Sequence, residues 1–324
     1  MIRWGIIGCG DVCEIKSGPA FYKSENSSLV AVMRRNHEKA RDFALRHRVP
    51  KYYSDADELI RDSDVDIVYI ATPPAYHAEL AIKVLKAGKP VYVEKPMAVS
   101  FRECSDMIDA AKKYKQKLFV AYYRRSLPYF LKVKELLDKK TIGKVLYVKM
   151  EFSRPPLPSD LHKDNQTWRL DKKIAGGGYF YDMASHTIDI LLFLLGKISK
   201  VNGLTSNVGG FYKIEDTVSA SFLFQSGVLA SGIWAYSSPV QQEKDEIIII
   251  GEKGTISFST FSLNDIELEI DGKVISYAFP KPKHIQMNMI QNIINELNGI
   301  GKSPSTGETA SETNRIMNEI FKNK

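Results

Sequence analysis

RWGIIGCGDVC, residues 3–13, opens as an apolar run and breaks into two glycines one residue apart. Residues 3–8 read as a buried strand, and Gly8 and Gly10 then lead into a helix. This is the start of a dinucleotide fingerprint: the chain turns tightly at one glycine, and at the other its backbone approaches a pyrophosphate. Cys13 stands where a third glycine would be. A lone G-x-G says little, and its weight comes from the elements around it.

Four further apolar runs follow, SLVAVMR (28–34), DIVYIA (66–71), PVYVE (90–94) and KLFVAYY (117–123), with a shorter KYY at 51–53. Helical patterns over 37–48, 76–88 and 101–115 separate them. Apolar runs without alternation, divided by helices, describe a parallel sheet covered on both faces. Residues 1–122 are therefore expected to form a doubly wound α/β domain that binds NAD(P).

Residues 123–324 have another texture. A helix near 128–139 and a strand at 144–153 precede a Pro-rich loop, SRPPLPSDLHKDNQ (153–166), and a Gly-rich turn and an apolar helix follow over 176–195. DTVSASFLF, GVLASGIWAY, EIIIIGEKGTISF and IELEIDGKVISYAF then follow one another through short turns. Successive strands so joined predict a large, mostly antiparallel sheet, hence an α+β domain for substrate binding and oligomerisation. Two C-terminal helices, near 284–299 and 308–322, are expected to pack back on the first domain. Neither face of GVLASGIWAY is clearly polar, which points to a homodimer or homotetramer through this sheet.

Of the 324 residues, 44% are hydrophobic and 26% charged, the balance of a soluble globular protein. The net charge is +7, but no block of like charges forms a nucleic-acid arm. A mildly positive field suits an anionic small molecule. Three cysteines, Cys9, Cys13 and Cys104, argue against a disulfide framework and for the cytoplasm. Cys9 and Cys13 lack the partners of a zinc site, and no metal is expected. IDILLFLLG (188–196) is too short to span a bilayer.

Four stretches carry candidate chemistry. Arg34 and Arg35 end the second strand, where a carboxylate would hold a ribose 2′-hydroxyl. A guanidinium there favours a 2′-phosphate, hence NADP(H) over NAD(H); alternatively one arginine stacks on adenine and the other is solvated. ATPPAYH (71–77) closes the fourth strand, so Thr72 and Pro73 face the ligand crevice, while His77 serves the cofactor or is a surface or capping residue. VYVEKPM (91–97) sets Lys95 at a buried strand end, either solvated or aimed into a site that needs positive charge. In GGGYFYDMASHTIDI (176–190), Asp182 and His186 share a helix face and Asp189 lies nearly on it. An imidazole between carboxylates suits acid–base work, unless these groups merely satisfy one another.

Together these residues resemble the glucose–fructose oxidoreductase / inositol dehydrogenase family, Gfo/Idh/MocA, over most of the chain. The resemblance rests on G-x-G, TPP…H, EKP, the WR of 168–169 and GGG…D…H..D, in that order. It implies a Rossmann domain followed by a mostly antiparallel α/β domain, and NAD(P)-linked turnover of a sugar, polyol or related carbonyl compound. It implies a catalytic set of Lys95, Asp182 and His186, and a Lys95–Pro96 bond that is often cis. Lys95 would stabilise charge on the substrate oxygen, His186 would exchange its proton, Asp182 would hold a hydroxyl and Asp189 would orient His186. The cofactor contacts expected are Gly8, Gly10, Asp11, Val12, Arg34, Arg35, Thr72, Pro73, His77, Glu94, Lys95 and Arg125, with Arg124 able to exchange roles with Arg125. The substrate contacts expected are Lys95, Tyr123, Trp168, Arg169, Asp182 and His186, with the loop 154–166 as part of the wall. Pro74 departs from the family's usual Asn, and Arg34 from the acid of NAD-using members. Other readings are an NAD-dependent glycoside-cleaving enzyme of the same family and a non-catalytic dinucleotide sensor.

Overall fold

The computed structural model describes residues 1–162 and 167–322. The chain divides into two compact units, Met1–Leu127 with Pro282–Asn314, and Pro128–Lys281 with the chain from Arg315 onward.

The first unit holds strands β1 (Ile2–Ile7), β2 (Ser27–Met33), β3 (Lys51–Tyr53), β4 (Ile67–Ile70), β5 (Val91–Val93) and β6 (Leu118–Val120). They form one parallel sheet in the order β3-β2-β1-β4-β5-β6. This is the doubly wound sheet expected from its apolar runs. The order reverses between β1 and β4, so the carboxyl ends of β1, β2 and β4 border the ligand crevice of such folds. Helices α1 (Asp11–Ile15), α2 (Gly18–Lys23), α3 (His37–His47), α4 (Ala56–Arg61), α5 (His77–Lys86) and α6 (Phe101–Tyr114) connect the strands. The central strands are apolar on both faces, and Ile6, Val32, Ile70 and Val93 are fully buried.

The helix after the glycines is broken in two. A Cβ on Gly18 would lie 2.0 Å from the Cys13 carbonyl oxygen, so α2 begins hard against α1.

In the second unit, α7 (Pro128–Asp138) precedes β7 (Val145–Ser153), and α8 (Lys172–Ala175) and α9 (Ser185–Leu195) precede seven strands. These are β8 (Ile198–Ser206), β9 (Thr217–Phe224), β10 (Leu229–Ala235), β11 (Lys244–Gly251), β12 (Gly254–Phe258), β13 (Ile266–Ile270) and β14 (Lys273–Tyr277). The sheet order is β14-β13-β12-β11-β7-β10-β9-β8. All pairs are antiparallel except β7 with β10, so the sheet is mostly antiparallel as expected. Period-two burial is plain in β10: Ala230, Gly232 and Trp234 are buried while Leu229, Ser231 and Ile233 are exposed. One sheet face thus builds the core, and the other carries Tyr147, Leu229 and Ile233 into solvent. β8, an edge strand with Lys, Ser and Gly, lacks the apolar pattern that marks its neighbours.

The Gly-rich turn and apolar helix expected over 176–195 are present, with a π turn between them. Gly176 and Gly178 take φ of +81° and +64°, and a π turn over Phe180–Ala184 leads into α9. The Tyr181 ring of this turn packs on Gly177, where a Cβ would lie 2.1 Å from it. Helices α10 (Met287–Leu297) and α11 (Gly307–Ile320) close the chain. α10 buries Met289, Ile290, Ile293 and Ile294, one stripe at helical spacing.

Candidate active site

In the first unit, Gly8 has φ +89°, and a Cβ there would lie 2.9 Å from Thr72 Cγ2 and 3.0 Å from its backbone N. Only glycine fits. A Cβ on Gly10 would meet nothing nearer than the Gly8 carbonyl oxygen at 3.9 Å, so space beside the loop is open. Asp11 is exposed at the start of α1, Val12 is half-buried, and Pro73 is half-buried after β4. Thr72 Oγ1 is buried with no hydrogen-bond partner against this glycine turn. Burial pushes the Cys9 thiol up to about 11 and the Cys13 thiol higher, so both pack as neutral small residues.

Arg34 leans back onto the loop, its Nη1 donating to the Cys9 carbonyl at 3.5 Å. Arg35 is exposed with its guanidinium 5.7 Å from the Tyr76 ring centre. The open space at Gly10, the orphaned Thr72 hydroxyl and two guanidinium groups at the end of β2 fit a dinucleotide phosphate.

His77 is not a surface or capping residue. It is fully buried, with Nε2 2.8 Å from the Thr72 carbonyl oxygen and Nδ1 3.1 Å from that of Pro96. It lies between the loop after β4 and the turn after β5, and as a neutral ring with one N–H it donates to one of these two carbonyls. Burial lowers its pKa, so the ring is held neutral. The turn it braces contains the cis Lys95–Pro96 bond. Lys95 is half-buried, not freely solvated. Glu94 is buried, its carboxylate accepting from Tyr69 Oη at 2.5 Å, Gln286 Nε2 at 2.5 Å and the Lys95 N–H at 3.2 Å. Tyr123, Arg124 and Arg125 form a buried 3₁₀ turn. Arg125 Nη1 donates to the Pro304 carbonyl at 3.1 Å, while Arg124 lies 5.1 Å over the Tyr123 ring. The interior thus engages both arginines.

In the second unit, the π turn carries Asp182 and the first turn of α9 carries His186. Arg169 Nε donates to Asp182 Oδ2 at 2.9 Å, and its guanidinium stacks 4.6 Å over Trp168. Trp168 is half-buried and borders a cleft of about 620 Å³ with Leu170, Ile174 and Ile214. His186 is buried with its ring edge-on to Phe261 at 5.9 Å, and Asp189 is buried on the same helix. Arg154 packs 4.3 Å over Tyr179 and 5.5 Å over Tyr236, and Tyr179 Oη donates to the fully buried Asp160. Burial, with the Asp182 charge adding to it, pushes the Tyr236 phenol well above its usual range. This Arg154–Tyr179–Tyr236 cluster escapes the sequence reading because its members lie on three separate elements. Of the expected substrate wall, residues 163–166 lie outside the described residues, and His162 is exposed. Among the described residues, no three His, Cys, Asp or Glu side chains gather to hold a metal ion, and no helix is long and apolar enough to cross a membrane.

Residues 2–122 match the oxidoreductase family with an NAD-binding Rossmann fold, and residues 130–257 match the GFO/IDH/MocA C-terminal domain. The chain belongs to the GFO/IDH/MocA family. As a member it is an NAD(P)-dependent oxidoreductase of two domains. It is 40% identical to an oxidoreductase of Formosa agariphila, covering 99% of this chain and 98% of that one. It is 30% identical to the scyllo-inositol 2-dehydrogenase (NADP(+)) of Bacillus subtilis, over 99% and 97%. The aldose-aldose oxidoreductase of Caulobacter crescentus, solved with glycerol, superposes with a TM-score of 0.86 at 25% identity, over 99% and 96%.

Proposed function

We propose that this family member is an NADP(H)-preferring oxidoreductase of a sugar, polyol or related carbonyl compound. The observation that carries the preference is at the end of β2, where Arg34 and Arg35 stand in place of a carboxylate and Arg34 already reaches the glycine loop. A carboxylate there would repel a 2′-phosphate, whereas a guanidinium binds it by charge-assisted hydrogen bonds. The scyllo-inositol relative, NADP(+)-linked by name, supports the same reading.

The nicotinamide, when bound, supplies or accepts the hydride. Lys95 stabilises the negative charge that develops on the substrate oxygen during reduction. His186 gives that oxygen its proton, and takes it back in oxidation, worth roughly 10²–10⁴ in rate. Asp182, held by Arg169, accepts a hydrogen bond from a substrate hydroxyl. Asp189 orients His186. Gly8, Gly10, Asp11, Val12, Thr72 and Pro73 line the cofactor. Tyr123 and Trp168 contact substrate.

The half-apolar open face of the second sheet supports pairing with a second copy, giving a dimer or tetramer. Three free, buried thiols suit a reducing compartment. NADPH and NADH oxidation by the purified chain against a panel of keto-sugars, inosones and dicarbonyls tests the proposal. Turnover with NADPH that collapses in Lys95→Ala supports it. Equal or faster turnover with NADH overturns the preference.

A further inference from the structure

We propose that Gln286 is a positioning residue for Lys95, acting through the Glu94 carboxylate. The proposal rests on the reading of Lys95 as the charge-stabilising group. Gln286 is 1% exposed and stands just before α10, in the segment that belongs to the first unit although it follows the second sheet in sequence. Its amide has one usable orientation. Oε1 accepts from Tyr92 Oη at 2.8 Å, which directs Nε2 to Glu94 Oε1 at 2.5 Å. Tyr69 Oη donates to the same carboxylate oxygen at 2.5 Å. The other oxygen, Oε2, accepts the main-chain N–H of Lys95 at 3.2 Å.

The segment around Gln286 is itself anchored. Its main-chain N–H donates to the Lys16 carbonyl at 3.3 Å, and His284 Nδ1 lies 2.7 Å from the Ile15 carbonyl oxygen. Both contacts fall at the end of α1. A buried carboxylate is tolerable only when its lone pairs are used. Here two donors from elsewhere in the fold satisfy one oxygen, and the turn's own N–H uses the other. Glu94 is thereby a fixed post, and the peptide leading into Lys95 is bonded to it. On the other side of the turn, His77 Nδ1 meets the Pro96 carbonyl oxygen at 3.1 Å. Without the Gln286 donor, Oε1 keeps only the Tyr69 hydroxyl, so the carboxylate that accepts the Lys95 N–H is held by one bond fewer and places it less firmly. Catalytic groups are sensitive to displacements of about 1 Å.

The test reads Lys95 directly. Reductive ¹³C-methylation of the folded protein gives each lysine an NMR signal, and Lys95 is assigned by its loss in Lys95→Arg. Gln286→Met keeps the length of the side chain and removes its donor and acceptor. The Lys95 signal is expected to shift or broaden in this variant, while those of lysines outside this network, such as Lys51 and Lys139, stay in place. A change in fold stability alone would not single out Lys95. If Gln286→Met does not fold, Tyr92→Phe removes only the hydroxyl that orients the amide and is expected to move the same signal. An unchanged Lys95 signal in the folded variant overturns the proposal. Turnover of Lys95→Ala is scored separately: full activity there refutes the catalytic reading of Lys95 and leaves the positioning result to stand or fall on the spectra.

Discussion

Arg169 donates through Nε to the Asp182 carboxylate at 2.9 Å while its guanidinium lies 4.6 Å from the centre of the Trp168 ring. The contact with Trp168 helps place the guanidinium, and the hydrogen bond holds the carboxylate, which sits on the π turn before α9. A carboxylate so held is pre-organised to accept from a hydroxyl of the substrate. Both partners are partly exposed, so the pair adds little to stability. Its effect falls on recognition. Arg169→Ala is predicted to lower kcat/KM about tenfold with a melting temperature close to the parent's, and Arg169→Lys to recover only part of that loss. Unchanged steady-state kinetics for Arg169→Ala would remove Asp182 orientation from the account.

Cofactor choice is predicted to follow Arg34. A charge-assisted hydrogen bond is worth about 1.5–3 kcal/mol. Arg34→Ala should therefore weaken NADPH binding roughly 10- to 100-fold and leave NADH binding within about threefold. Fluorescence titration of the two reduced cofactors checks this. An equal loss for both would mean that Arg34 serves the glycine loop or the adenine, not a 2′-phosphate.

His77 gives stability a pH dependence whose sign is set by burial. Its pKa is lowered in the fold, so the unfolded chain takes up a proton first as pH falls through about 6.5. The contribution is fully present above that value and is lost progressively below it. His77→Gln lacks this titration, so its melting temperature should fall less steeply between pH 7 and pH 5 than the parent's. Parallel slopes in the two proteins would show that the ring titrates alike in both states.

Glu14 acts in a lower pH window. Hydrogen bonds from Arg46 lead the causes that hold its carboxyl down to about 2, against 4.5 unperturbed, and His47 Nε2 lies 3.0 Å away. Its contribution is present above about pH 4.5 and is lost as pH falls through about 2. Glu14→Gln is predicted to melt below the parent near neutral pH, with the gap closing across that window. Salt should narrow the gap, because the pair is near the surface. A gap that does not vary with pH would assign the loss to packing.

Local sequence determined the fold of each unit. Apolar runs between helices predict a covered parallel sheet, and successive strand patterns joined by short turns predict the antiparallel one, whereas which face of β10 is buried, Ala230–Gly232–Trp234 and not Leu229–Ser231–Ile233, is not written in its polarity. Gly8 was equally legible, because a positive φ at a strand-to-helix turn demands glycine. The marks of Lys95, Asp182 and His186 were also local, a lysine at a buried strand end and two polar groups on one helix face.

Tertiary structure alone decided what those residues touch. His77 carries no sequence sign that it links two backbone loops, and its ring reaches Pro96, 19 residues away. Gln286 meets Glu94 across 192 residues, a pairing invisible to any periodicity. Arg154, Tyr179 and Tyr236 come together from the residue after β7, the segment before the π turn and the residue after β10. The physical reason is one of range. Backbone preference and the pattern of apolar side chains act over a few residues and select the elements. The partner of a buried polar group is set by how those elements pack, because the group must bond to whichever donor or acceptor the packing brings within about 3 Å.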